Sequence, residues 1–73
     1  RTVSMISAVI PVYNEGARVA ACVDQLTPVL RRCVADDWEI VLVDDGSTEE
    51  LTLLVLEQLR APRVRLLRLD GLF

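Results

Sequence analysis

Residues 40–43, Ile-Val-Leu-Val, leave the chain no polar side for four positions, and the sequence then turns abruptly to Asp44 and Asp45. Successive side chains of a strand point to opposite faces. A run that is apolar on both faces therefore reads as a central strand covered on both sides, as in parallel sheets. Residues 38–43 (WEIVLV) form this strand, and it requires neighbours. The first is residues 7–14 (SAVIPVYN), where Ala8, Val9 and Ile10 are continuously apolar. Pro11 cannot donate to a ladder, so it marks the end of that strand or an edge position. The other is residues 64–69 (VRLLRL).

Helical spacing fills the intervals. Val19, Cys22, Val23, Leu26, Leu30 and Cys33 recur at i, i+3, i+4 and i+7 across residues 17–34. Pro28 removes a hydrogen bond there, so the helix bends or divides into two pieces. Asn14 reads as its N-cap, and Ala35-Asp36-Asp37 as the turn that follows it. Ser47-Thr48-Glu49-Glu50 fits a capping box, with Ser47 as N-cap and Glu50 at N3. Leu51, Leu54, Val55 and Leu59 would line one face of the second helix, which Arg60-Ala61-Pro62 ends. Asp70-Gly71 begins a further turn.

The order β-α-β-α-β predicts an α/β fold with a parallel sheet and right-handed crossovers. With strand order 3-2-1 both helices pack on one face, leaving the other bare. Soluble monomers avoid large exposed apolar patches. The expectation is a partner for that face, either the rest of a domain or a second subunit. Composition agrees: 73 residues, about half a typical domain, are 52% hydrophobic with a mean hydropathy of +0.38. That is more apolar than a small free-standing domain needs.

The net charge of −3, from 11 acids and 8 arginines with no lysine, argues against nucleic acid as a partner. Arg63, Arg65 and Arg68 alternate with apolar residues and read as a solvated strand edge. Cys22 and Cys33 are 11 residues apart on one helix. At about 16 Å they lie beyond disulfide reach, and they read as buried apolar thiols in a reducing compartment. The first residues have no signal-peptide pattern, and no run is long enough to span a bilayer. The expected location is cytoplasmic, with any attachment to the cytoplasmic face of a membrane left to segments outside these residues.

Ligands of open parallel sheets bind outside the carboxyl ends of the strands. Two loops lie there, PVYNEG and DDGSTEE, and they bring Tyr13, Asn14, Glu15, Asp44 and Asp45 side by side. G-x-G-x-x-G and G-x-x-x-x-G-K-[ST] are both absent, which excludes a dinucleotide fingerprint and a P-loop. Without histidine or lysine, the usual general bases and Schiff-base nucleophiles are missing, and two cysteines within a helix do not make a zinc site. Carboxylates remain. They suit Mg²⁺ or Mn²⁺, or accept hydrogen bonds from a ribose hydroxyl or a base N–H. Adjacent strand residues face opposite ways, so Asp44 and Asp45 need not share one pocket.

IPVYNEG, followed about thirty residues later by IVLVDDGSTEE, resembles the N-terminus of the family 2 glycosyltransferases. PRVRLLRL is similar to the family's third strand. The resemblance covers nearly all of residues 1–73 and implies the N-terminal, incomplete part of a Rossmann-like GT-A domain. It implies a site for a UDP- or GDP-linked sugar. Pro11, Val12 and Tyr13 would lie against the base, with Glu15 close by. Asp45 would hydrogen-bond the base or ribose. Asp44 belongs to the same nucleotide site and would be held by backbone N–H groups of the turn or the helix start. The complete enzyme would use Mg²⁺ or Mn²⁺ and transfer the sugar to a polyprenyl phosphate, a polysaccharide or another acceptor. The family's Asp-x-Asp metal motif has no counterpart here, because Asp70 is followed two positions later by Leu72. No catalytic residue is assigned to this segment, and residues 1–73 alone are expected to transfer no sugar, which a direct transferase assay would check. Two alternatives stand beside this reading. VLVDDGS before an apolar helix also resembles a response-regulator receiver domain, and the chain could be a truncated nucleotide-binding remnant.

Overall fold

The computed structural model describes residues 5–69. Expectations for Asp70, Gly71 and Leu72 fall outside the described residues. Five elements alternate as β1 (Ile6–Val12), α1 (Arg18–Val34), β2 (Trp38–Asp45), α2 (Glu50–Leu59) and β3 (Val64–Leu69). The strands form one parallel sheet in the order β1-β2-β3, so the strand without a polar face is central, as its sequence requires.

Register explains how the two faces differ. Ala8, Ile40 and Val64 stand side by side, as do Ile10, Leu42 and Leu66, and then Val12, Asp44 and Arg68. The apolar members of these even-numbered rows pack with Val19, Val23 and Leu30 of α1 and Leu56 of α2 in one core. Both helices therefore lie on one face, as the topology predicted. Ile40, Leu42 and Leu56 are wholly inaccessible. Full burial of a side chain of this size contributes about 1.5–3 kcal/mol.

The odd-numbered face carries no helix among the described residues. Val9 is 61% exposed there, and Leu67 and Leu69 are also open. Pro11 sits within β1 opposite Val43, one residue from its end, and β1 is an edge strand of the sheet formed by the described residues, where proline is tolerated.

Helix α1 runs unbroken through Pro28. Val23 and Leu30 are buried on either side of the proline, and their packing keeps the helix whole. The Thr27 hydroxyl donates to the Val23 carbonyl at 2.8 Å. Ala35 ends the helix at φ +55°, its N–H donating to the Arg31 carbonyl. Cys22 and Cys33 are free, as their separation required, but they are exposed rather than buried. The buried stripe runs through Val19, Val23 and Leu30. Cys33 and Cys22 lie about 60° and 80° to one side of its centre, at about 100° per residue. Cys22 borders a cleft beside Ile10 and Pro11 of β1, and neither cysteine is covered by the described residues.

Helix α2 also differs from expectation. Its sheet-facing stripe is Thr52 and Leu56, flanked by Val55 and Leu59, whereas Leu51 and Leu54 face outward. An apolar count selects the leucines; the helix instead turns Thr52 inward because that hydroxyl finds two partners, described below.

The arginines just before and within β3 are exposed but engaged. Arg63 lies over the Trp38 ring, 5.7 Å from its centroid. On the helix-free face the Ser7 hydroxyl donates to Glu39 Oε2 at 2.6 Å, and Arg65 Nε donates to Glu39 Oε1 at 2.9 Å. These two bonds, the Ser7 hydroxyl foremost, hold the Glu39 carboxyl below the ordinary glutamate value. A carboxyl lowered in the folded state adds stability that is present above its unfolded value and is lost as pH falls through the folded one. Stability should therefore decline on acidification below about pH 4.5. Glu39→Gln should flatten that part of the profile, as measured by urea unfolding at a series of pH values.

Candidate nucleotide site at the carboxyl end of the sheet

Parallel strands in register end together. Val12 pairs with Asp44, so the segments that follow, residues 13–17 and 46–49, leave the sheet side by side. Their adjacency is fixed by hydrogen bonds. Asn14 Oδ1 accepts the N–H groups of Thr48 and Glu49, each at 2.9 Å. The Asn14 N–H donates to Ser47 Oγ at 3.0 Å. Asn14 holds φ +48°, a left-handed conformation that asparagine tolerates better than most residues.

Both capping expectations are thereby corrected. The N-cap of α1 is Ala17, without side-chain capping. Asn14 ties together the two loops instead. The N-cap of α2 is Glu49, and Glu50 is the first helical residue rather than the third. Ser47 cannot close a capping box because its hydroxyl is engaged by Asn14 and the helix begins beyond it. Glu50 still places an acid in the first turn, where the helix dipole favours it.

The acidic pair separates as strand geometry demands. Asp44 faces the helices and is 2% exposed; Asp45 is exposed. A buried carboxylate is costly unless partnered. Asp44 Oδ1 accepts the Ser47 N–H at 2.9 Å across the turn that Gly46 makes at φ +77°. Its Oδ2 lies 3.8 Å from Arg68 Nε, and Arg68 reaches on to Glu57 at 3.1 Å. The arginine read from sequence as a solvated edge thus helps to neutralise the buried acid. Asp45 has neither a hydrogen-bond nor an ion-pair partner among the described residues, so both its oxygens stand free to accept.

The other candidates divide by accessibility. Tyr13 is 57% exposed at the rim. Val12 is core, so only its backbone can meet a ligand. Pro11 is exposed and lines, with Glu15, Ile10, Arg18, Val19 and Cys22, a cleft of about 260 Å³ on the outer edge of β1. Glu15 pairs with Arg18 at 3.1 Å. Tyr13 and Glu15 follow β1 and Asp45 ends β2, so all three lie at the carboxyl end of the sheet. Among the described residues no three His, Cys, Asp or Glu side chains come together as a metal cage. With Asp44 committed to the turn and Asp45 on the opposite face, these residues do not by themselves fit a divalent cation.

Sequence reasoning missed Thr52 and Gly16. The Gly16 N–H donates to Thr52 Oγ1 at 2.8 Å, and that hydroxyl donates to Glu49 Oε1 at 2.7 Å. The one available signal was a threonine three residues beyond a glutamate in an otherwise apolar stretch. Gly16 holds φ +58°, and a β-carbon there would lie 3.4 Å from Glu49 Oε1 and 3.6 Å from Leu51 Cδ2. The carboxylate can yield, so the backbone sets the cost. Gly16→Ala should destabilise the fold by about 1–2 kcal/mol, the left-handed penalty for an L-residue, as read from the shift in urea midpoint.

A family model described as glycosyl transferase family 2 matches residues 7–72. The dolichyl-phosphate beta-glucosyltransferase of Saccharomyces cerevisiae is 40% identical over 52 residues, covering 71% of this chain and 16% of that protein. The undecaprenyl-phosphate 4-deoxy-4-formamido-L-arabinose transferase of Edwardsiella ictaluri is 37% identical over 71 residues, 89% of this chain and 20% of that protein. Its namesake in Yersinia pestis (strain Pestoides F) is 40% identical over 53 residues, 73% of this chain and 16% of that protein. The chain thus spans a fifth or less of the length of these curated relatives. No solved structure matches it significantly. With its parallel βαβαβ core and both loop motifs inside the matched region, the chain belongs to glycosyl transferase family 2.

Proposed function

We propose that residues 1–73 form the N-terminal, donor-nucleotide-binding part of a GT-A domain that transfers a sugar from a nucleoside-diphosphate sugar to a polyprenyl phosphate. The observation that carries this reading is the exposed Asp45 carboxylate, without a partner among the described residues, at the same end of the sheet as the exposed Tyr13, where open α/β folds bind ligands. An ionised carboxylate only accepts hydrogen bonds. It therefore suits a base edge that presents N–H, or a ribose hydroxyl. The Tyr13 ring offers a flat apolar surface to the base, and Pro11 and the Val12 backbone extend it along β1. Glu15 closes the outer side of the loop. Asp44 serves the same site from beneath by fixing the turn that carries Asp45.

Uracil and guanine both present an N–H to such an acceptor, so UDP- and GDP-sugars are both in scope. The acceptor class rests on the relatives, whose names specify dolichyl and undecaprenyl phosphates. Those acceptors are membrane lipids, which supports a reaction at a membrane surface, and we assign it to the cytoplasmic face of that membrane. No helix among the described residues is long and apolar enough to cross it. Any membrane attachment therefore rests on other segments. A Mg²⁺ or Mn²⁺ ion would neutralise the leaving diphosphate. Its ligands, the acceptor site and the base that deprotonates the acceptor are assigned to residues other than these. The receiver-domain alternative draws no support, since the family model that matches residues 7–72 is glycosyl transferase family 2.

The test is calorimetric titration of the full-length protein with UDP and GDP. One of them should bind, and Asp45→Ala should weaken it by about 10- to 100-fold, the value of a charged hydrogen bond. Because Asp45 is exposed and unpartnered, thermal stability should change by no more than about 0.5 kcal/mol. Undiminished affinity would move the site off this loop.

A further inference from the structure

Two polar residues are buried in the described fold, Asp44 and Thr52. Asp44 is accounted for by its turn. Thr52 is wholly inaccessible, lies outside both loop motifs, and occupies a position on α2 where valine would fill the same space. Burying a hydroxyl is unfavourable unless its hydrogen bonds are made.

Both are made, and they have a direction. The hydroxyl donates to Glu49 Oε1 at 2.7 Å and accepts the Gly16 N–H at 2.8 Å. A hydroxyl has one proton and a carboxylate accepts only. Glu49 therefore fixes where that proton points and leaves a lone pair aimed at Gly16. The loop between β1 and α1 is thus pinned at alternate residues. Asn14 is bound to residues 47–49 and Gly16 to Thr52. The residues that alternate with these pins are Tyr13 and Glu15, which the donor-site reading places against the nucleotide.

We propose that Thr52 is a positioning residue of the donor site, its buried hydroxyl setting the height of the Tyr13–Gly16 loop relative to Asp45. The inference rests on the donor-site reading given above. Removing the hydroxyl leaves the Asn14 pin in place, so the loop stays attached but its Glu15–Gly16 half is released. An ordering cost then falls on nucleotide binding.

The test uses the full-length protein and whichever of UDP or GDP the wild type binds. Thr52→Val should weaken that nucleotide by roughly five- to tenfold, as expected for one lost hydrogen bond. Thr52→Ser, which keeps the hydroxyl, should restore affinity to within about twofold of wild type. Hydrogen exchange at the Gly16 amide should accelerate in the valine variant only. Should Thr52→Val fail to fold, Glu49→Ala at an exposed position leaves the hydroxyl present but unoriented. It should weaken binding by about two- to threefold. A lowered melting temperature with undiminished affinity would show a purely structural role and overturn the proposal. Equal weakening by valine and serine would overturn it too, since packing of the methyl group would then be the cause. Undiminished affinity in Glu49→Ala would also overturn it, since the hydroxyl would then act without being oriented. A wild-type protein that binds neither UDP nor GDP would overturn the donor-site reading itself, and this inference with it.

Discussion

The side-chain oxygen of Asn14 accepts two backbone N–H groups from the segment that leads into α2, and the candidate site depends on that clasp. Parallel strands bring their carboxyl ends together, but nothing in a ladder holds the loops beyond them. A backbone link between two such loops needs an acceptor that reaches sideways, and a short amide does so at low entropic cost. With the loop of β1 fastened to the loop of β2, Tyr13 and Asp45 acquire a defined relation although they belong to different units of the chain. Thr52 adds the same restraint from inside the helix layer.

The paired aspartates illustrate how one motif serves two physical ends. Like charges at adjacent positions would oppose each other in one pocket. The pleat sends them to opposite faces, and their surroundings then diverge. Asp44 is buried against a turn N–H and faces Arg68, whereas Asp45 keeps its oxygens free. The first stabilises the turn, and the second is presented by it. The motif's chemistry therefore depends on β2 continuing through Asp45, beyond the apolar run.

The two faces of the sheet show the same economy of pattern. Every second residue of β1 and β2 meets a helix, and the others meet none among the described residues. On that second face the polar chain Ser7–Glu39–Arg65 lies toward the end away from the loops, Val9 stands open in the row of Arg65, and Leu67 and Leu69 stand open nearer the site. An apolar surface of this kind, in a chain that spans a fifth or less of its relatives, accords with a domain that continues beyond these residues.

The sequence by itself determined the elements, their order, the parallel sheet and the place of the loop motifs. These follow from periodicity and from the rule that a strand apolar on both faces must be central. The opposition of Asp44 and Asp45 was legible for the same reason, since it needs only the pleat. Tertiary structure alone decided which polar side chains bind what. Asn14 and Ser47 look like local caps because their residue types favour caps, yet each finds its partner about 33 residues away, across the sheet end. Cys22 and Cys33 satisfy a helical pattern, but burial depends on what lies opposite, and among the described residues nothing covers them. Thr52 displaced Leu51 and Leu54 from the inward stripe because a hydroxyl with both bonds made can be buried. Local spacing specifies where backbone goes; long-range hydrogen bonding, set only when the loops meet, specifies which side chains are held and which are left free for a ligand.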